Sequence, residues 1–240
     1  MKRIGAICLM LTVLLGGCAA TPAAPSLEER LVTIDGAQNT RDIGGVVTLD
    51  GRTVKTGMLV RGTELDGLGD ARFCVDEEAR DAAMEMFGFV CDFDLRAAEL
   101  DGYVSPLGDE VTHTFFAAPM YEEVFEEDGK AALRRMFTAL ADGANYPMYL
   151  HCTYGADRTG TLVFLLQGVL GVSQEDMLRE YRLTARTFPA YLTNGDLQPL
   201  LDGLSAYEGN TLGERIETFL RTDVGVTAEE LESIRAVLLE

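Results

Sequence analysis

Residues 151–160 read His-Cys-Thr-Tyr-Gly-Ala-Asp-Arg-Thr-Gly. Three of these side chains can do chemistry together. Cys152 is a nucleophile when ionised, and Arg158 carries a permanently charged planar fork that matches two anionic oxygens. Asp157 is a carboxyl group able to hold or release a proton. An apolar run, Pro147-Met148-Tyr149-Leu150, precedes them, and a second, Leu162-Val163-Phe164-Leu165-Leu166, follows. That pattern predicts a strand, a tight loop and a buried helix. A loop of this kind aims several backbone N–H groups at one spot, and the helix behind it adds the positive end of its dipole. An oxyanion is the fitting guest, held by Thr153, Tyr154, Gly155, Ala156, Asp157 and Arg158. The same field favours a thiolate at the head of the loop. The reaction class that suits this set is attack of the Cys152 thiolate on the phosphorus of a phosphate ester.

The pattern Cys-x5-Arg-Thr, preceded by His, resembles the phosphate loop of the cysteine-based phosphatases. The fuller His-Cys-x-x-Gly-x-Asp-Arg-Thr-Gly resembles one branch of them, the secreted bacterial tyrosine phosphatases of the mycobacterial type B kind. Two further segments fit that branch: Asn39-Thr40-Arg41-Asp42-Ile43-Gly44-Gly45, and Asp94-Leu95-Arg96 with Glu99 following. The resemblance implies a phosphocysteine intermediate on Cys152 and phosphotyrosine as substrate. It also implies Asp157 as general acid, with Asp94 the alternative, since the chain has 0 Trp and therefore no Trp-Pro-Asp loop. Thr159 is expected to donate its hydroxyl toward the Cys152 sulfur, and His151 to shape the loop through hydrogen bonds. Arg61 is equally suited to an ion pair and to a substrate contact. The branch often has Lys where this chain has Ala156, a Lys associated with phosphoinositide hydrolysis. Two other readings stay open. A phosphoinositide or inositol polyphosphate phosphatase would place Lys and His around the loop, and no such set is visible. A non-catalytic phosphate-binding domain would lack Cys, Arg or the acid, and all three are present.

The chain has 240 residues, enough for one domain with a sizeable core, and a formal net charge of -19. So acidic a surface argues against nucleic acid and against anionic lipid held by charge alone. Neither a metal-ligand spacing nor a dinucleotide fingerprint is present, so no metal and no cofactor is expected. A monomer is expected.

Lys2 and Arg3 followed by the apolar residues 4–15 read as an export signal too short to span a membrane. Leu15-Gly16-Gly17-Cys18 resembles a bacterial lipobox, so residues 1–17 are expected to be a lipoprotein signal peptide with Cys18 lipidated; the alternative is ordinary cleavage near Ala20. Residues 18–28 read as a tether and 29–240 as the phosphatase domain. The protein is accordingly expected outside the cytoplasm, touching a membrane only through its lipid. Of the 5 cysteines, Cys74 and Cys91 are expected as reduced, buried thiols beside the reactive Cys152.

Stepping outward from the loop, strands are expected over 31–34, 57–62, 89–95 and 111–116. Helices are expected over 76–87, with Gly88 as stop, and over 130–140, 173–186, 191–204 and 212–220. A last helix starts at the Thr227-Ala228-Glu229-Glu230 capping box. The acidic residues 119–129 read as a lid or mobile loop. The expected fold is a single α/β domain with a mostly parallel central sheet flanked by helices, its phosphate loop at the carboxyl end of a central strand.

Overall fold

A computed structural model describes residues 30–96, 103–189 and 197–240. The expected signal peptide, the expected tether with Cys18, Glu99, and residues 191–196 of one expected helix lie outside the described residues. The sheet has five strands in the order β1-β2-β5-β3-β4. These are β1 (Arg41–Asp42), β2 (Leu59–Gly62), β3 (Cys91–Asp94), β4 (Thr112–Phe115) and β5 (Met148–His151). Only β1 runs antiparallel to its neighbour; β2, β5, β3 and β4 pair in parallel. The α/β architecture with a mostly parallel sheet is therefore the one expected. The central strand is β5, whose last residue, His151, lies opposite Gly62 on one side and Asp94 on the other.

Alternation along the strands divides the core into two layers. Leu59, Cys91, Phe93, Met148 and Leu150 share one cluster with the helices α2 (Glu127–Leu140), α3 (Asp157–Val169) and α8 (Ala228–Leu238). Val60 and Tyr149 face the other way and meet α1 (Glu77–Phe87). The helix behind the phosphate loop, α3, is buried from Thr159 to Val169, which is why its sequence is apolar all round. Gly168 gives it close approach to α7 (Leu212–Phe219): a Cβ there would lie 2.4 Å from Ile216 Cδ1.

The capping signals act as read. Asp76 accepts from the Ala79 N–H at the start of α1, Gly88 ends it in the left-handed region, and Thr227 with Glu230 forms the box of α8. Four expectations need correction. Residues 31–34 form no strand; Leu31 makes one isolated bridge to Arg41 and is solvent-exposed, so the edge strand is Arg41–Asp42 instead. The helix expected over 173–186 breaks at Leu183 into α4 (Gln174–Arg182) and α5 (Thr184–Thr187). The acidic segment is ordered: a 3-10 turn, Tyr121–Phe125, seats Val124 in the core and α2 begins at Glu127. Cys74 and Cys91 are both free, Cys91 buried as expected, with burial pushing its thiol up to about 11. Cys74, by contrast, is exposed, because it sits in the loop before α1 where it bridges Asp66.

Candidate active site

The loop between β5 and α3 is supported from three directions. Beneath it, Gly155 adopts φ 60° and approaches the backbone of β2 so closely that a Cβ would lie 2.2 Å from Gly62 O. Its carbonyl accepts from Arg61 Nη2 at 2.5 Å and from Asn39 Nδ2 at 3.0 Å; Asn39 also reaches Tyr154 O. Those donors are fixed in turn by Glu180 of α4. Both Glu180 oxygens accept from Arg61 Nη1, at 3.0 and 3.1 Å, and Oε1 also accepts from Arg41 Nε at 2.7 Å, while Arg41 Nη1 donates to Asn39 Oδ1. The three charged groups are buried together. Burial alone would raise the Glu180 carboxyl, but Arg41 and Arg61 hold it below the usual range. Arg41 is pushed down to about 10 by burial and by the neighbouring Arg61, against the pull of Glu180. Arg61 is therefore an ion-pair partner that supports the loop from below, and at 0% exposure it makes no outside contact.

On the β3 side, Asp94 takes Arg96 in a bidentate pair at 2.7–3.0 Å, and Arg96 continues to Glu64 and Asp66. The Glu64 N–H donates to Thr153 O, and its carboxylate accepts from the N–H groups of Gly69 and Asp70. The Asp-Leu-Arg segment is thus a network that clamps residues 64–70 against Thr153. Burial would raise the Asp94 carboxyl, yet the charges of His151 and Arg96 hold it below the ordinary range, ionised and fully engaged. That state suits an anchor, not a proton donor.

Behind the nucleophile candidate, His151 Nε2 meets Asp92 Oδ1 at 2.8 Å, and Asp92 Oδ2 accepts from Ser105 at 2.7 Å. Burial would lower the imidazole, but Asp92 outweighs it and raises His151 to about 9. The ring is then charged at neutral pH, and its Nδ1 donates to Cys152 O at 3.3 Å. The positive charge adjoins the backbone of Cys152 and adds to the field at the sulfur.

On the loop itself, Cys152 is buried at the end of β5. The N–H groups of residues 153–158 donate to no protein acceptor among the described residues. Arg158, half-buried in the first turn of α3, likewise has no hydrogen bond or ion pair among them. Donors without protein acceptors at a helix N-terminus make an anion cradle. The Thr159 hydroxyl is fully buried and unpartnered, so the expected bond to the Cys152 sulfur is not formed; Thr159 lies inside the helix and turns its oxygen into the interior. Ala156 is buried, so a longer side chain at that position would have to thread outward to reach the rim. Tyr154 packs edge-on against Phe73 and Phe188 and donates its hydroxyl to Asp70 at 3.1 Å. Asp157 is half-buried at the start of α3 and accepts from Tyr121 Oη at 2.5 Å.

The structure places Cys152, Asp157, Arg158 and the loop residues on one strand-loop-helix unit, and it adds Glu180, Asp92 and Tyr121, which the sequence did not single out. Asp92 left a faint signal, a carboxylate between Cys91 and Phe93; Glu180, between Arg179 and Tyr181, left none. A cavity of about 840 Å³ lined by residues such as Glu208, Glu217, Arg221 and Thr227 shares no residue with the loop. A phosphate cradle is small, and the unpaired donors, not the volume, mark the chemistry. No cluster of His, Cys, Asp and Glu that could hold a metal ion is found among the described residues.

The sequence profile of the tyrosine phosphatase family matches residues 32–240, nearly the whole described fold and all of the site. The chain belongs to the tyrosine phosphatase family. It is also similar to a Cupriavidus necator protein named "Putative tyrosine-protein phosphatase", 29% identical over 181 residues, which cover 67% of this chain and 65% of that protein. Membership in the tyrosine phosphatase family agrees with the thiol, the Arg and the cradle lying on one strand-loop-helix unit.

Proposed function

We propose that the protein hydrolyses phosphotyrosine through a phosphocysteine intermediate on Cys152. The observation that carries this reading is the row of N–H groups over residues 153–158, and Arg158 beside them, that have no acceptor among the described residues, with a thiol at the base of the loop. The equatorial oxygens of the phosphoryl group would take those donors and the Arg158 fork, which stabilise the charge that shifts in the transition state. Cys152 attacks phosphorus, and the ester oxygen leaves with a proton from Asp157. Water then attacks the phosphocysteine, and Asp157 takes a proton back. Asp157 is preferred to Asp94 as the acid because Asp94 is ionised and saturated by Arg96.

Ala156 stands where the type B branch often has Lys, so residues 152–158 carry no cation beyond Arg158 for a second phosphate, which supports phosphotyrosine over polyphosphates. We place the protein in that branch, and outside the cytoplasm on a lipid at Cys18, on the strength of the sequence motifs alone. The substrate reading is tested by kcat/KM on a panel of phosphotyrosine and phosphoserine peptides, a phosphoinositide and phytate. Phosphotyrosine should lead; a higher kcat/KM on phytate or the phosphoinositide would overturn the substrate. Release of the protein from membranes by Cys18→Ser is expected, and unchanged membrane association would refute the anchor.

A further inference from the structure

Tyr121 has a conformation that calls for a reason. It is one of two residues other than glycine with positive φ among the described residues, at φ 51°, where a bulky side chain is strained. The strain opens the 3-10 turn Tyr121–Phe125, and the Tyr121 N–H donates to Thr161 Oγ1 of α3 at 3.1 Å. This docks the turn on the first two turns of that helix. The result is that the Tyr121 hydroxyl reaches Asp157 Oδ1 at 2.5 Å. Its single proton is committed there, so the Tyr181 hydroxyl, 2.9 Å away, donates to Tyr121 Oη. Tyr181 in turn packs against Gly160, where a Cβ would lie 2.9 Å from its ring. The chain of donors therefore runs Tyr181, Tyr121, Asp157. Burial and these two bonds hold the Tyr121 phenol neutral, so it remains a donor wherever the enzyme works.

We propose that Tyr121 is a positioning residue that assigns the two oxygens of Asp157 to different tasks. This rests on Asp157 being the general acid, as proposed above. Oδ1 accepts from Tyr121 throughout, as carbonyl oxygen in the protonated acid and as one carboxylate oxygen afterwards. The acidic proton is thereby confined to Oδ2, the oxygen the tyrosine pair does not use. In the first step the S–P bond forms, the P–O ester bond breaks, and the Oδ2 proton passes to the leaving oxygen. In the second step a water oxygen bonds to phosphorus, its proton passes to Oδ2, and the S–P bond breaks to return the thiolate. The Tyr121 proton is transferred in neither step.

The test compares Tyr121→Phe with wild type on phenyl phosphate, a poor leaving group, and on nitrophenyl phosphate, a good one. Loss of a hydrogen bond to a charged group predicts a kcat on phenyl phosphate lower by roughly 10- to 100-fold, with KM little changed. On nitrophenyl phosphate the loss should stay below roughly threefold, because a good leaving group needs little proton help. In the Asp157→Asn background, Tyr121→Phe should add nothing. Equal losses on both substrates, or a full additional loss in the Asp157→Asn background, would overturn the proposal. If Asp157→Asn itself shows no leaving-group dependence, the acid assignment falls and takes this inference with it. If Cys152→Ser turns over, the reading of the whole site fails. Vanadate binding reports that each variant keeps its cradle. Should Tyr121→Phe not fold, Tyr181→Phe carries the test. Removing the donor behind Tyr121 should weaken its bond and lower kcat by roughly two- to fivefold on phenyl phosphate alone; no such selective loss would refute the arrangement.

Discussion

At the scale of single residues, the site separates two carboxylates by environment. Asp94 is buried, bidentate with Arg96 and beside a charged imidazole, so it stays ionised. Asp157 is half-buried with one oxygen bound to a phenol. Arg96 occupies both oxygens of Asp94, whereas Tyr121 takes only Oδ1 of Asp157 and leaves Oδ2 for a leaving group. Asp157→Asn should therefore slow hydrolysis of poor leaving groups by roughly 10²–10⁴-fold while touching nitrophenyl phosphate far less. Steady-state kinetics on both esters check this, and equal losses would move Asp157 to a structural role. The His151–Asp92 pair makes a second prediction. Its folded value, about 9, lies above the ordinary 6.5, so the pair stabilises the fold fully below pH 6.5 and loses that contribution as pH rises through 9. The expected loss is on the order of 3 kcal/mol by linkage. Urea unfolding at pH 6 and pH 9.5 should show it in wild type and not in Asp92→Asn. An equal pH dependence in the variant would contradict the assignment.

At the scale of elements, what was legible was what is contiguous. β5, the loop and α3 follow each other without interruption, so residue types and spacing were enough to read the strand, loop and helix that carry Cys152, Asp157 and Arg158. Caps such as Asp76 and Thr227 act on neighbours three residues away and were equally readable. What could not be read is what closes over distance. Glu180 joins Arg41 and Arg61 across separations of 139 and 119 residues, and Tyr121 meets Asp157 across 36. No local pattern encodes those meetings. The same limit explains the edge of the sheet: residues 31–34 are apolar enough for a strand, but only Leu31 bridges the outer side of Arg41–Asp42, which itself pairs with β2. The role of α4 follows from its one buried carboxylate. Glu180→Gln leaves two buried guanidiniums without a counter-charge, which should destabilise the fold by about 3–5 kcal/mol and loosen the Gly155 carbonyl. Chemical denaturation measures the first effect. A loss under about 1 kcal/mol would mean that water or rearrangement compensates the arginines.

At the scale of the whole molecule, the net charge of -19 surrounds the loop proposed to bind phosphate with a field that repels anions. The loop donors act within hydrogen-bond distance, whereas the global field is screened over a Debye length of about 8 Å at physiological salt and about 30 Å at 0.01 M. Raising the salt over that range should increase kcat/KM for phytate by a larger factor than for a phosphotyrosine peptide, since the polyanion feels the field more. A decrease for phytate would mean that a local cation set dominates its binding. The sheet order places β5 at the centre with β2 and β3 beside it, so supports for the loop arrive from both flanks, Arg61 from one and Asp94 from the other. The central claim is that this scaffold serves covalent catalysis by one sulfur. The most direct measurement is a rapid acid quench during turnover of a phosphotyrosine peptide, followed by mass analysis of the peptide containing Cys152. The account predicts one added phosphoryl group on Cys152 in the wild type, and for Cys152→Ser no turnover above about a thousandth of wild type. Turnover above that level in Cys152→Ser, or a phosphoryl group found on another residue, would contradict it.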